Sequence, residues 1–204
     1  VAGLEWPDSG EIRLAGEDAT ALTPQKRGVG FVFQHYAAFK HMTVRDNVAF
    51  GLKIRKRPKD EVTRKVKELL DLVQLQGFGD RYPAQLSGGQ RQRMALARAL
   101  APEPKVLLLD EPFGALDARV RAELRVWLRR LHEEWGMTVI LAEHRLERCL
   151  AAATRVIALD GGRLAFDGSP ADFCAWSAAE APALATGVSR LLAPFGLASS
   201  AVTV

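Results

Sequence analysis

Short apolar runs separated by amphipathic stretches form the pattern of this chain. Residues 27–34, 106–109 and 138–142 are rich in Val, Ile, Leu and Phe, and each run is too short for a typical helix. Such runs are typical of strands in a parallel sheet that is covered on both faces. An amphipathic stretch, 118–135, separates the last two runs, and the order strand, helix, strand predicts a parallel crossover. The pattern therefore predicts an α/β fold around a parallel sheet.

The middle of the chain has a helical pattern. A helix is predicted from Glu61 to Val73, with Asp60 as its cap. Its apolar positions form one stripe that we expect in the core: Val62, Val66, Leu69, Leu70 and Val73. Residues 90–100 also have helical spacing, and the segment of about 43–100 is predicted to be a helical subdomain.

Two further stretches alternate apolar and polar residues, as half-buried strands do. One is 10–17, and the other is a hairpin over 156–168 that turns at Asp160-Gly161-Gly162. After Pro170 the chain is rich in Ala, Ser and Leu, which predicts a short helix or two and then disorder, with a partly disordered tail at 179–204. We expect residues 1–178 to form a single domain.

Composition restricts the function classes. The chain has 204 residues, of which 48% are hydrophobic, as expected of one soluble globular core. Its net charge of +4 favours anionic ligands or a membrane surface. No basic stripe is interleaved with aromatic residues, so we expect no nucleic acid partner. The two cysteines, Cys149 and Cys174, argue against a disulfide framework, and no stretch approaches the roughly 20 apolar residues of a membrane span.

The most informative stretch is the loop from Leu86 to Gln90, which precedes a helical pattern directly. Glycine and serine often mark a flexible turn that has no function. Here they open a helix, and a helix start presents unpaired backbone N–H groups and the positive end of a dipole, which suits a phosphate. We therefore interpret Ser87, Gly88, Gly89 and Gln90 as a candidate phosphate-binding loop.

Two adjacent carboxylates, Asp110 and Glu111, follow the apolar run 106–109. Open α/β sheets bind ligands at the carboxyl ends of their strands, so the pair is either a candidate catalytic site or a solvated strand end. Asp110 is suited to a hydrated Mg²⁺, and Glu111 is suited to orient or deprotonate a water that attacks a phosphoryl group. The crossover is expected to bring His144 to the same edge, where its imidazole can hydrogen-bond a terminal phosphate.

Gln34 ends the first apolar run, and the segment 35–51 follows it. This segment carries Tyr36, Phe39 and Met42 without a clear strand or helix period. Exposed aromatic residues of this kind suit a docking surface, and a local mini-core explains them about equally well. Both interpretations remain open from the residues alone.

Taken in order, these motifs resemble those of the nucleotide-binding subunits of ATP-binding-cassette (ABC) transporters, over nearly the whole length. Leu86 to Gln90 is similar to the signature loop, Val106 to Glu111 to the Walker B strand, Gly114 to Asp117 to the D-loop, Gln34 to the Q-loop and His144 to the switch histidine. The resemblance implies an α/β, P-loop NTPase-like fold. This fold has a parallel sheet core, a helical signature subdomain and a small antiparallel β part.

The resemblance also implies a mechanism that uses ATP and Mg²⁺. It implies that two subunits, identical or different, form a head-to-tail dimer in which each ATP lies between one Walker A loop and the partner's signature loop. By carry-over, Asp110 and Gln34 hold Mg²⁺, Glu111 is the catalytic base and His144 contacts the γ-phosphate. The residues expected to serve the nucleotide are Gln34, Ser87, Gly88, Gly89, Gln90 and Asp117. Segment 35–51 is expected to receive transmembrane permease subunits, which makes the chain a cytoplasmic importer ATPase, peripheral on the inner face of the cell membrane.

Different parts of the chain resemble two different subfamilies. Residues 35–51 are similar to sulfate/thiosulfate importer ATPases, and that resemblance covers 1–131. Residues 138–177, above all 142–148 and 156–168, look more like ATPases of energy-coupling-factor importers for metals and vitamins. We therefore expect import of sulfate, thiosulfate or a related anion, with a metal or vitamin importer, or a composite of the two subfamilies, as the alternative.

The family's Walker A loop, G-x-x-x-x-G-K-[ST], does not occur in the 204 residues. The family places it upstream of the segment that Val1 to Glu5 resembles. We therefore expect a chain truncated at its N-terminus that by itself binds ATP poorly and hydrolyses it negligibly. The alternative function is a catalytically silent, truncated or recombined subunit. A missing strand is also expected to leave core exposed beside residues 106–109.

Overall fold

The computed structural model describes residues 1–34, 37–114, 118–195 and 197 of the chain, which divides into two compact units. In the first unit, Val1–Ala142, the strands are β1 (Arg13–Leu14), β2 (Glu17–Asp18), β3 (Val29–Val32), β4 (Val106–Asp110) and β5 (Thr138–Ala142). Its α-helices are α1 (Val44–Ile54), α2 (Lys59–Leu72), α3 (Gly88–Leu100) and α4 (Ala118–Trp135). The second unit, Glu143–Val204, has β6 (Val156–Asp160), β7 (Arg163–Gly168), α5 (Pro170–Glu180) and α6 (Gly187–Leu192). No helix among these described residues is both long and apolar enough to cross a membrane.

Strands β3, β4 and β5 form the predicted parallel sheet, in that order. Helix α3 packs on β3 and helix α4 on β5. The register pairs Val32 with Leu109, and Asp110 with Ala142, so the carboxyl ends of all three strands lie at one edge. This edge positions the candidate site, as the order of apolar runs predicts.

Strand β4 is hydrogen-bonded along both of its edges, to β3 on one side and to β5 on the other. The predicted place of the exposed core, beside residues 106–109, is therefore wrong, because a strand with two neighbours has no open edge. The exposed strand of this sheet is β5, which has no buried residue and whose Ile140 is 45% exposed. Val106 and Leu109 are no more than 4% exposed, and Leu107 is fully buried.

Helix α1 lies in a segment that is interpreted from its sequence as having little helical period. That interpretation is wrong from Val44 onward, where the segment is a regular helix with Val44, Val48 and Leu52 buried at helical spacing. Polar residues mark where this helix starts. The Thr43 hydroxyl accepts a hydrogen bond from the Asp46 backbone N–H at 3.1 Å and donates to the Asp46 carboxylate at 2.8 Å, which caps the first turn.

Helix α2 begins at Lys59, two residues before the predicted start, with Pro58 at the N-cap position. The prediction that Asp60 caps this helix is therefore wrong, and Asp60 lies in the first turn. Proline suits this position, because its fixed φ and missing N–H do not interrupt a helix at its start. The predicted core stripe is confirmed, since Val62, Val66, Leu69, Leu70 and Val73 are all buried.

The antiparallel parts are two separate ribbons. The predicted strand over 10–17 is wrong in extent: β1 and β2 have two residues each, because Ala15 and Gly16 turn the chain with φ of 50° and 83°. The hairpin β6–β7 is confirmed. Its two turn residues, Gly161 and Gly162, have φ of 53° and 76°, the left-handed conformation that favours glycine in tight hairpins.

The predicted domain boundary after residue 178 stays a prediction. Residue 178 lies inside helix α5, Pro170–Glu180, and the two compact units of the structure divide after Ala142. The short helices expected after Pro170 are present as α5 and α6. Residues 198–204 lie outside the described residues.

Candidate functional site

Asp110 and Glu111 lie at the carboxyl end of the central strand β4, as predicted. Both are half-buried, and the Glu111 backbone N–H donates to the carbonyl of Ala142 at 2.9 Å, which ties it to the end of β5. Glu111 has a φ of 45°, in the left-handed region that a residue with a Cβ rarely adopts. Such conformations cost about 1–3 kcal/mol and are concentrated at functional sites.

Gln34 follows β3 and reaches the same site. Its Nε2 donates to Oε2 of Glu111 at 2.8 Å, across 77 residues of sequence. The parallel register of β3 and β4 brings the two side chains together, because both leave the sheet at its carboxyl edge. With Nε2 bonded to Glu111, the oxygen Oε1 is the Gln34 atom suited to a cation. Of the sequence-predicted site residues, Gln34, Asp110 and Glu111 are therefore brought together.

The donors at this edge fit Mg²⁺, because the ion prefers carboxylate and amide oxygens. Among the described residues there is no cluster of three or more His, Cys, Asp or Glu that forms a metal site. Mg²⁺ does not need one, since it usually takes one or two carboxylates and completes its shell with phosphate oxygens and water. Asp110 and Gln34 are thus a suitable pair only beside a phosphate ligand.

The loop before α3 is held by a reciprocal pair of hydrogen bonds. The exposed Ser87 is the N-cap, its Oγ accepts from the Gln90 backbone N–H at 3.3 Å, and its own N–H donates to Gln90 Oε1 at 2.9 Å. This capping box fixes the loop and leaves the Ser87 hydroxyl proton as a donor. Gly88 and Gly89 are the first helical residues, so their N–H groups belong to the unpaired donors at the helix start.

Glycine at position 89 permits close packing of α3 against α4. A Cβ there would lie 3.2 Å from Cγ1 of Val120, whereas a Cβ on Gly88 would meet nothing within 4 Å. The loop is held further by Arg91, whose Nη1 donates to the carbonyl of Leu86 at 2.7 Å. The predicted phosphate loop is therefore a rigid helix start.

Gln92 is a buried polar residue beside the candidate site that sequence reasoning missed. It is only 1% exposed, and its Nε2 donates to the carbonyl of Pro112, the residue after Glu111. The bond links the helix of the candidate phosphate loop to the chain that leaves the carboxylate site. A polar residue at a buried helix position is the signal that could have found it.

For two predicted site residues the place relative to this edge stays a prediction. Asp117 lies outside the described residues. His144 is exposed and belongs to the second unit, two residues after the end of β5. Its contact with a terminal phosphate stays a prediction.

Residues 37–50 pack locally, as the mini-core alternative expects. The ring centroids of Phe39 and Phe50 are 4.3 Å apart, and Phe39 and Met42 are half-buried. Residues 35 and 36, and with them Tyr36, lie outside the described residues. The docking role of 35–51 stays a prediction.

Comparison with known proteins decides the family. The family model described as "ABC transporter" matches residues 1–114, more than half of the chain. The chain belongs to the ABC transporter family. Its parallel sheet, signature-loop helix and small antiparallel ribbons are those of an ABC ATPase fold, so the predicted fold class is confirmed.

The similar curated relatives are sulfate/thiosulfate import ATP-binding proteins named CysA. The protein of Nocardia farcinica is 66% identical, that of Mycobacterium tuberculosis 64% and that of Thermosynechococcus vestitus 60%. Each match spans 172 residues, which is 84% of this chain and 52%, 49% and 51% of the relative. The chain thus spans about half the length of the curated relatives that it matches.

The extent of these matches bears on the two resembled subfamilies. A match of 172 residues leaves at most 32 of the 204 outside it, so it includes at least residues 33–172. The similarity of this ABC chain to the sulfate-type proteins therefore continues beyond residue 131 and includes the hairpin β6–β7.

A solved structure of the ATP-binding cassette MJ0796, a dimer in a post-hydrolysis state bound to ADP and Pi, has the same fold. The two chains superpose with a TM-score of 0.73 at 30% sequence identity. The match covers 83% of this ABC chain and 77% of the cassette.

Proposed function

We propose that this ABC chain is part of an ATP-hydrolysing subunit that energises an importer of sulfate, thiosulfate or a related anion. The observation that carries the proposal is the 2.8 Å hydrogen bond between Gln34 and Glu111 at the carboxyl edge of the sheet. It joins the Q-loop-like and Walker-B-like motifs in one site. The anion is proposed from relatives up to 66% identical that are named for sulfate/thiosulfate import.

Glu111 is proposed as the catalytic base. Its carboxylate accepts the proton of a water whose oxygen forms the new bond to the γ-phosphorus, while the bond from that phosphorus to the bridging oxygen breaks and ADP leaves. Gln34 orients the carboxylate through the bond to Oε2. Asp110 and the Gln34 oxygen would hold Mg²⁺, which neutralises phosphate charge. His144 is proposed to hydrogen-bond the γ-phosphate.

Ser87, Gly88 and Gly89 are proposed to bind the γ-phosphate of an ATP held by a second subunit. The support is the rigid helix start, with the Ser87 hydroxyl proton and the first backbone N–H groups of α3 as donors. Gln90 contributes by holding the loop, because its amide oxygen is bonded to the Ser87 N–H. Asp117, in the D-loop-like segment, is proposed to take part in the same dimer.

We propose that permease subunits dock on 35–51 and that the subunit is peripheral on the cytoplasmic face of the membrane. By itself the 204-residue chain is proposed to be a poor ATPase, because no G-x-x-x-x-G-K-[ST] occurs in it to hold the β- and γ-phosphates. ATP binding then depends on a Walker A loop outside these residues. The relatives support sulfate over a metal or vitamin, since their similarity includes at least residues 33–172.

ATP-dependent association tests this proposal. The chain is mixed with the complete Nocardia farcinica relative, and sedimentation velocity is measured with and without ATP and Mg²⁺. We expect a heterodimer that needs ATP, and Ser87→Arg should weaken its formation at least about tenfold, because the long side chain fills the space proposed for the phosphate and the hydroxyl that caps α3 is lost.

Ser9→Arg is the control, since it places the same side chain at an exposed position outside the loop. It should associate as the unchanged chain does. The proposal would be contradicted if the Ser87→Arg chain associated as strongly as the unchanged chain, or if association were the same with and without ATP.

A further inference from the structure

The turn 37–43, which follows the Gln34 segment, is held by one buried amide. Asn47 on α1 is fully buried, and its Oδ1 accepts from the Phe39 backbone N–H at 2.9 Å. Its Nδ2 faces three carbonyls, those of Phe39 at 3.0 Å, Met42 at 3.2 Å and Thr43 at 2.9 Å. Both ends of a single side chain are thus used to fix the backbone of the turn, which a carboxylate or an aliphatic side chain cannot do.

Arg98 holds the same turn from another helix. Its Nη1 donates to the carbonyl of Ala37 at 2.7 Å, and its guanidinium carbon lies 5.2 Å from the ring centroid of Phe39. Burial lowers the pKa of this guanidinium, so the fold places a charge where solvation is poor. Contact with an aromatic face and a carbonyl offsets that cost.

Arg98 and Ser87 belong to the same helix. Ser87 caps α3, and Arg98 lies eleven residues later, about 16 Å along the axis at 1.5 Å per residue. Next to Arg98 the helix is packed closely on the sheet, since a Cβ on Gly30 would lie 2.8 Å from the carbonyl oxygen of Ala99. A regular helix that includes both ends is an element through which a displacement of the turn at Arg98 can reach the loop at Ser87.

We propose that Arg98 is a positioning residue that couples a partner docked on the 37–43 turn to the Ser87 loop, with Asn47 keeping the turn rigid enough to transmit the displacement. The inference rests on the proposed docking of permease subunits at 35–51. It assigns the connection between that surface and the phosphate loop to one side chain. Phe39 is the contact through which Arg98 senses the turn.

Hydrogen exchange tests the coupling in the 204-residue chain. The probe is a synthetic peptide that corresponds to the cytoplasmic loops of a sulfate-type permease, added at about ten times its Kd. In the unchanged chain we expect exchange in 37–43 to slow about tenfold, as expected for near-saturating ligand, and exchange in 87–90 to slow as well. In the Arg98→Gln chain, 37–43 should still respond while 87–90 changes less than about twofold.

Two variants keep the test decisive if Arg98→Gln does not fold. Arg98→Lys retains the charge but loses the planar contact with Phe39, and Phe39→Leu removes the ring while Arg98 stays. Both should reduce the response of 87–90 without lowering the melting temperature as a global defect would. Arg64→Gln, at an exposed position on α2, is the control and should respond as the unchanged chain does.

The outcomes separate the inference from the proposed function. If the peptide binds and 87–90 responds equally in the Arg98 variants and the unchanged chain, the coupling role of Arg98 is wrong while docking stands. If the peptide does not protect 37–43 in the unchanged chain, docking on this turn is wrong, and the inference is overturned with it.

Discussion

At the scale of single residues, Glu111 is the most informative position of the described chain. It combines a left-handed backbone with a carboxylate that Gln34 holds at 2.8 Å. The sequence predicts the carboxylate and its place at a strand end, because the apolar run stops there. It cannot predict the backbone conformation, which depends on the hydrogen bond to Ala142 after the crossover has formed.

The conformation of Glu111 predicts an unusual order of stability between two variants. Both Glu111→Gly and Glu111→Ala remove the carboxylate and its bond to Gln34, but only alanine keeps a Cβ at a φ of 45°. We therefore expect the glycine variant to be more stable by about 1 kcal/mol. Urea unfolding at neutral pH measures the difference, and an alanine variant as stable as the glycine variant would contradict the observed backbone.

At the scale of elements, the polar caps position the helices that carry the site. Lys53 Nζ lies 2.7 Å from an Asp46 oxygen, and the Thr43 hydroxyl donates to the other oxygen. The hydrogen bond from Lys53 is the largest cause of a lowered pKa at the Asp46 carboxyl, and the hydrogen bond from Thr43 is the second. This carboxylate therefore stabilises the start of α1 beside the 37–43 turn.

The lowered pKa of Asp46 predicts a pH dependence. A carboxyl with a lowered pKa in the folded state adds stability above its unfolded pKa of about 3.9, and that stability is lost as pH falls through the folded value. Asp46→Asn should therefore cost up to about 1 kcal/mol at pH 6, a value limited by solvent screening of an exposed pair, and much less near pH 3. Urea unfolding at the two pH values measures this, and a cost independent of pH would refute it.

The elements predicted from sequence are those whose apolar period is strong. Strand β5 and helix α4 have the predicted bounds, 138–142 and 118–135, because each is one continuous apolar run or stripe in the sequence. Burial is not what fixes these bounds, since no residue of β5 is buried. Helix α1 lies inside the predicted helical subdomain of about 43–100, but its own bounds are missed because the aromatic residues before it hide its period and its start depends on polar groups. The caps of α1 and α2 show the same limit, since a cap is decided by backbone geometry as much as by residue type.

At the scale of the whole molecule, the motifs that the sequence separates widely meet through sheet register. Gln34 and Glu111 are brought together because β3 and β4 are parallel neighbours, and Gln92 links α3 to Pro112 beyond them. A shared site for Gln34 and Glu111 is predicted from the sequence only through the family resemblance, in which both serve the nucleotide. The sequence does not predict the link from Gln92 to Pro112, since a buried polar bond between a helix and a loop has no periodic signal.

The central claim is that this ABC chain provides the signature half of a composite ATP site through Ser87. The most direct measurement is phosphate release by a mixture of this chain with the complete Nocardia farcinica relative, after the relative's own signature-loop serine has been replaced by arginine. In that mixture, a functional site needs the relative's Walker A loop and the Ser87 loop of this chain. We expect the unchanged chain and the Ser9→Arg control to restore hydrolysis, and Ser87→Arg to leave it at least about a hundredfold lower. Equal restoration by the Ser87→Arg chain, or none by the unchanged chain, would contradict the claim.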